Sequence, residues 1–188
     1  MGDQRFHVLD VGAPAQTAAD RARRVRSWLR DRGWTQPCEG LVDWRKPKDQ
    51  QGNVIAADAA GPRLFGTAAA AASEGAEFPI TVIDRWAIYD SGDAFEGFRC
   101  AACREVSDAA LDLVDDWYRT AQVPIHRCDR CGWTAPLTAW DVRAAAVCSH
   151  VAISGDLLGG NLTDAVTTLT QELCTELAGE WIWVYEHI

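Results

Sequence analysis

The sequence predicts an α+β fold: a mixed sheet with packed helices and a small cysteine-bearing module inserted into it. Three observations predict this. The chain starts as strand then helix and finishes as helix then strand, so its two ends can share one sheet. Between them lie two Cys-x-x-Cys pairs, Cys100/Cys103 and Cys128/Cys131. A third amphipathic helix sits between the pairs. The 188 residues, 48% apolar and 24% charged, are those of a globular chain able to bury its own core. A disordered chain, a collagen and a coiled coil are excluded. The expected organisation is an N-terminal α/β part over 1–94, a metal module over 95–141, and a strand–helix–strand over 142–188 that completes the sheet.

The elements follow in order. Arg5 to Val11 alternates β-branched and aromatic residues and predicts a strand, with His7 packed inside it. Thr17 is placed to cap a helix running to about Arg32, whose apolar stripe is Ala18, Ala22, Val25 and Leu29. Gly33 stops it. Residues 34–79 are broken by Pro and Gly and read as loop with short strands, residues 67–74 being a short helix or a flexible link. Pro79 to Tyr89 reads as a strand region, followed by a turn over Asp90-Ser91-Gly92-Asp93.

Between the cysteine pairs, Ser107 is expected to cap a helix. Its inner side carries Ala110, Leu113, Val114, Trp117 and Ala121, and its outer side Asp108, Asp112, Asp115, Asp116 and Arg119. The four Asp read as a solvated face, since carboxylates facing water lack the convergent shell a hard cation needs. Val151 to Ser154 predicts a short strand. Thr163 caps a helix ending near Ala178, with Val166, Leu169, Leu173 and Leu177 as its stripe and Gly179 as its stop. Trp181 to Ile188 has apolar residues on both faces and is expected as an inner strand of a covered sheet.

Seven cysteines are present, an odd number. The start of the chain carries no cationic, apolar leader, so a disulfide framework is not expected and a soluble cytoplasmic protein is. A two-residue gap lets a tight turn aim two thiolates at one ion, and two such turns complete a tetrahedral four-sulfur shell. Cys100, Cys103, Cys128 and Cys131 are therefore the expected ligands of a structural Zn²⁺. An iron–sulfur cluster and redox-active pairs are the rivals for the same residues. A closed four-thiolate shell has no open position for water, which argues against catalytic zinc. His126 is expected as a strand histidine rather than a ligand. Cys148-Ser149-His150 has no second pair nearby to make a metal site. Cys38 stands alone, and Cys174, on the flank of an apolar helix face, is expected as a small buried hydrophobe.

The charge is uneven. Residues 1–36 carry seven Arg against four Asp, whereas residues 105–188 carry four basic against thirteen acidic groups, and the whole chain is −9. Such a chain is a poor general polyanion binder and suits basic protein partners. The exception is the first helix, where Arg23, Arg26 and Arg30 form one stripe flanked by Arg21, Arg24 and Arg32. The stripe reads either as a phosphate-binding face or as internal pairing with the acidic C-terminal half.

The segments 98–104 (FRCAACR) and 126–133 (HRCDRCGW) resemble the two knuckles of a zinc ribbon. The order strand, CxxC, helix ending in Trp117, CxxCG, Trp140-Asp141, capped helix and final strand is similar to uncharacterised bacterial zinc-ribbon proteins. The first knuckle departs from the pattern, with Arg104 where the second has Gly132. The resemblance implies zinc and a bacterial origin, and assigns no activity. No nucleophile–base–acid group and no cofactor loop is visible in the sequence, so no catalytic and no cofactor-binding residue is named. The expected function is that of a non-enzymatic zinc protein acting through protein–protein contact: an adaptor, an accessory subunit or an immunity-type inhibitor. The alternative is a nucleic-acid-associated regulator using the Arg-rich helix and the ribbon. No membrane partner is expected.

Overall fold

A computed structural model describes residues 4–36, 63–64, 78–157 and 163–187. Its elements are β1 (Gln4–Asp10), α1 (Ala18–Asp31), β2 (Thr35–Gln36), β3 (Arg63–Leu64), β4 (Phe78–Ile83), β5 (Ala87–Asp90), α2 (Ala110–Thr120), β6 (Ile125–Arg127), β7 (Thr134–Pro136), β8 (Ala146–Ser149), β9 (Val151–Leu157), α3 (Thr163–Glu176) and β10 (Trp181–His187). The class is α+β, as expected. The expected helix over 67–74 and Cys38 lie outside the described residues. No helix among the described residues is long and apolar enough to cross a membrane.

Six strands form the main sheet in the order β10-β1-β9-β4-β3-β2, each pair antiparallel. Taking β1, α1, β4, β9, α3 and β10 alone gives a β-α-β-β-α-β chain in which each helix connects two strands that flank a third. The two ends of the chain thus meet in adjacent strands, β1 and β10. This arrangement serves many unrelated activities and by itself assigns none.

Period-two alternation splits β1 between two cores. Phe6 and Val8 face α1 and α3, while Leu9 faces the opposite side. On the helix side, the stripes Ala18, Ala22, Val25, Leu29 and Val166, Leu169, Leu173, Leu177 are buried against Ile80, Val82, Val151 and Ile153. Trp28 and Trp34 are buried there too. Their indole N–H groups donate to Glu176 at 2.9 Å and Glu172 at 2.7 Å, which clasps α1 and its C-terminal extension to α3. α1 ends at Asp31, with left-handed Gly33 (φ 73°) just past its cap as expected; α3 ends at Glu176, short of the expected end near Ala178 and three residues before Gly179.

The second face of the sheet is covered by the inserted module. Leu9, Ala152 and Val184 pack against Tyr89, Phe98, Trp117, Leu137 and Trp140. The module hangs on one bent hairpin. The main-sheet pair β4–β9 ends at Ile83↔Ala152, and the pair β5–β8 begins at Ala87↔Ser149. The expected single strand region over Pro79–Tyr89 is therefore two strands in different sheets, broken at Asp84–Trp86. The bend is held by buried Ser149, whose hydroxyl shares its one proton between the carbonyls of Asp10 and Val151, each 2.9 Å away, and accepts from the Val151 N–H.

β10 is an edge strand, not the inner strand its two apolar faces predicted. Its outer edge is shielded by the module: the Asp93 N–H donates to the His187 carbonyl, the His187 N–H to Ser91, and the Tyr185 N–H to Arg143. This closeness needs Gly92, at φ 56°, because a Cβ there would collide with the His187 carbonyl oxygen. Sequence periodicity reports whether a strand is covered, and both faces of β10 are; it does not report who covers the edge.

Candidate metal centre

Each cysteine pair sits in a turn with the same backbone pattern. In the first, the Cys100 carbonyl accepts from the Arg104 N–H at 2.9 Å and the Cys100 N–H donates to the Glu105 carbonyl at 2.7 Å. In the second, the Cys128 carbonyl accepts from the Gly132 N–H at 2.8 Å and the Cys128 N–H donates to the Trp133 carbonyl at 2.8 Å. Closing such a turn requires a left-handed residue just after the second cysteine. Gly132 takes φ 75°, and Arg104 takes φ 67° despite its side chain. The second turn joins β6 to β7, and the first is pinned by the bridges Arg99↔Val106 and Arg99↔Asp141.

The two turns face each other, and the four Sγ atoms all lie within 4.8 Å of one another. Cys100 and Cys131 are 3.8 Å apart and Cys103 and Cys128 3.6 Å apart. Four thiolates at ~2.3 Å from a central Zn²⁺ would be separated by about 3.8 Å along each tetrahedral edge. The sulfurs therefore fit a single tetrahedral ion. Cys100 and Cys128 are buried, Cys103 is half-buried and Cys131 is exposed, so the centre sits at the rim of the module with its inner half in the core.

The thiols do not ionise alike. The backbone N–H groups of Cys131 and Arg130 favour a thiolate at Cys128 and bring it down to about 7, against an opposing cost of burial. At Cys103 the Glu105 N–H acts the same way, but desolvation and the sulfurs of Cys128, Cys131 and Cys100 outweigh it and push the thiol up to about 12. Four sulfurs this close carry four negative charges only with a cation among them. Beside the centre, Asp141 joins the two halves of the module. The guanidinium of Arg143, and then that of Arg104 at 2.9 Å, hold its carboxyl well below the usual carboxylate range.

The other sequence candidates fall elsewhere. His126 lies on β6 with its Nε2 2.9 Å from the Ser107 hydroxyl and its ring 5.0 Å from Trp140, outside the sulfur set. Ser107 does not cap α2 directly. The helix starts at Ala110 with Ala109 as its cap, because the Ser107 hydroxyl is shared between the Ala109 N–H and His126. Cys148 is buried and its thiol is pushed up to about 12 by burial alone. The His150 ring lies 4.5 Å from that of Trp86, tilted by 38°, and Cys174 is exposed on α3 rather than buried. The arginines of α1 divide: Arg24 and Arg30 are exposed, and the others are engaged within the chain. Arg21 binds buried Asp10 at 2.7 Å, Arg26 donates to the Val82 carbonyl at 2.8 Å, and Arg23 and Arg32 bond Asp20 and Glu176.

One constellation was not visible in the sequence. His7 Nδ1 lies 2.8 Å from the Ser154 hydroxyl and His7 Nε2 lies 3.1 Å from Glu186 Oε2. The three residues are 147 and 179 positions apart and meet only because β9, β1 and β10 are neighbours. The His7 ring is nearly buried, with the Tyr89 ring 5.2 Å away. Burial lowers its pKa below the ordinary histidine value, against the opposing pull of Glu186. The row reads as a hydrogen-bonded polar seam between sheet and module, with both ring nitrogens engaged.

No family model matches the chain, and neither a curated protein nor a solved structure matches it.

Proposed function

We propose that the chain is a non-enzymatic protein that acts through contact with another protein, its fold locked by a structural Zn²⁺ on Cys100, Cys103, Cys128 and Cys131. The observation that carries this reading is the closed four-sulfur set, with every member within 4.8 Å of the others. A shell of four protein thiolates leaves no coordination position for a substrate or an activated water. The bound ion would supply charge balance for the thiolates and a cross-link between the two turns. The residues supply the rest: paired turns that hold the sulfurs, and an apolar inner side made of Phe98, Trp117 and Trp140.

The acidic charge of −9 supports a basic protein partner over a nucleic acid. So does the engagement of Arg21, Arg26 and Arg32 within the chain. The test is affinity capture with the full chain from native lysate, with and without nuclease, and metal content measured on the same sample. The expected result is about one zinc per chain and a defined protein partner that survives nuclease. Recovery that vanishes with nuclease would overturn the reading in favour of a nucleic-acid role.

A further inference from the structure

We propose that a basic, apolar-faced segment of a partner protein docks on the ridge formed by Leu111, Tyr118, Trp86 and Ile88. This deepens, and rests on, the protein-contact reading above. Among the described residues, the exposed large hydrophobics are Ile88 (40%), Leu111 (71%), Tyr118 (43%) and Ile125 (72%); the last three lie in the inserted module and Ile88 on β5 of the hairpin that carries it. Among the described residues, the main sheet and its two helices expose no large hydrophobic.

Three of these four form one ridge with Trp86. Leu111 and Tyr118 are seven residues apart on α2 and share the flank beside buried Ala110, Val114 and Trp117. The Tyr118 ring stacks on Trp86 at 6.1 Å and 13°, and the Trp86 indole N–H donates to the Tyr118 carbonyl at 2.9 Å. A second ring neighbour of Trp86 is His150, at 4.5 Å and tilted by 38°. Ile88 is exposed on β5, which begins at Ala87 directly after Trp86. The aromatic centre is thus already fixed by stacking and a hydrogen bond, so little side-chain entropy remains to be lost on binding.

Charge selects the occupant. Asp112, Asp115 and Asp116 are exposed along α2; beside Trp86, exposed Asp84 is paired with Arg26 at 3.9 Å and Arg85 is exposed. Arg119 answers only Asp115 and Asp116, at 3.1 and 3.4 Å. Residues 84–149 hold eleven acidic against seven basic groups, or −4. Four thiolates and one Zn²⁺ would add −2. An apolar ridge bordered by carboxylates is complementary to a segment with apolar anchors and flanking Lys or Arg, such as a basic amphipathic helix, and repels phosphate backbones.

The test selects a displayed random-peptide library on the immobilised full-length zinc-loaded protein, in parallel with the Leu111→Ser/Tyr118→Ser double variant. Both side chains are exposed, and an unchanged Tm shows that the variant folds. The expected result is enrichment of peptides combining Lys or Arg with large apolar residues. Their affinity should fall more than tenfold on the variant and weaken as salt rises. Equal binding to wild type and variant would overturn the ridge while leaving the protein-contact reading standing. No enrichment, or enrichment of acidic sequences, would overturn it as well. So would a wild-type dimer that the double variant dissolves, since the occupant would then be a second copy. A duplex oligonucleotide bound by wild type and lost in the variant would overturn both the ridge assignment and the protein-contact reading.

Discussion

Arg104 stands at the position of Gly132: each follows the second cysteine of its turn, each donates its N–H to the first cysteine's carbonyl, and their φ angles are 67° and 75°. A left-handed conformation costs a residue with a Cβ roughly 1 kcal/mol or more. Arg104 recovers part of this through its 2.9 Å contact with Asp141, an exposed ion pair worth at most about 1 kcal/mol. Gly132→Ala is therefore expected to destabilise by about 1 kcal/mol through its φ alone, since the nearest atom an added Cβ would meet is 3.4 Å away. Arg104→Gly is expected to be neutral or slightly stabilising, and Arg104→Ala destabilising. Urea unfolding of the three variants checks the order.

Asp10 and Arg21 form the most buried ion pair of the helix side. Asp10 is 2% exposed, and the 2.7 Å contact joins the end of β1 to the first turns of α1. Arg21 also donates to the carbonyls of Leu177 and Ala178, which closes the C-terminus of α3. Its guanidinium lies 5.3 Å from the Trp181 ring centre. Removing one partner leaves the other charge buried and unpaired. Asp10→Ala should therefore cost about 3 kcal/mol or more, measured by denaturant unfolding. Removing both with Asp10→Ala/Arg21→Leu should cost less than the sum of the single changes.

His7 makes stability depend on pH. Burial lowers its folded pKa below the unfolded value of 6.5, with Glu186 and Asp90 opposing and Arg5 assisting. A depressed histidine pKa favours unfolding when the proton binds. Its contribution is complete above about pH 6.5 and is lost as pH falls below that value, by up to about 1.4 kcal/mol per pH unit. Wild type should thus lose more stability between pH 7 and pH 5 than His7→Gln. Equal losses would show that other groups set the slope.

The helices were legible because their apolar spacing is strict. The stripes of α1 and α3 are both buried as read, and the α2 split leaves its Asp residues exposed. The cysteine pairs were legible because the two-residue gap is itself the turn geometry. The strand order of the sheet was not. Adjacency of β1 to β9 and β10 depends on contacts across most of the chain, and so the His7–Ser154–Glu186 row escaped. The bend at Asp84–Trp86 escaped as well, because no Gly or Pro marks it; it is held by Ser149, 63 positions beyond Trp86. Arg104 escaped because propensity argues against a left-handed arginine, and only its counterpart Gly132 shows why the turn demands one. Cys174 shows the limit of helical phase: it flanks the stripe of α3, and one position's rotation places it in solvent.

The measurement that tests the metal-centred fold most directly is zinc content and thermal unfolding on one sample, for wild type, for wild type treated with a chelator, and for Cys131→Ser. The module covers Leu9, Ala152 and Val184 on the sheet's second face, so its loss should reach the whole fold. Structural zinc contributes several kcal/mol, and a chain of this size shifts by roughly 2–4 °C per kcal/mol. The expected result is about one zinc per wild-type chain, loss of the ion in the other two samples, and a Tm lower by about 10 °C or more in both. Complete loss of zinc with an unchanged Tm would contradict it.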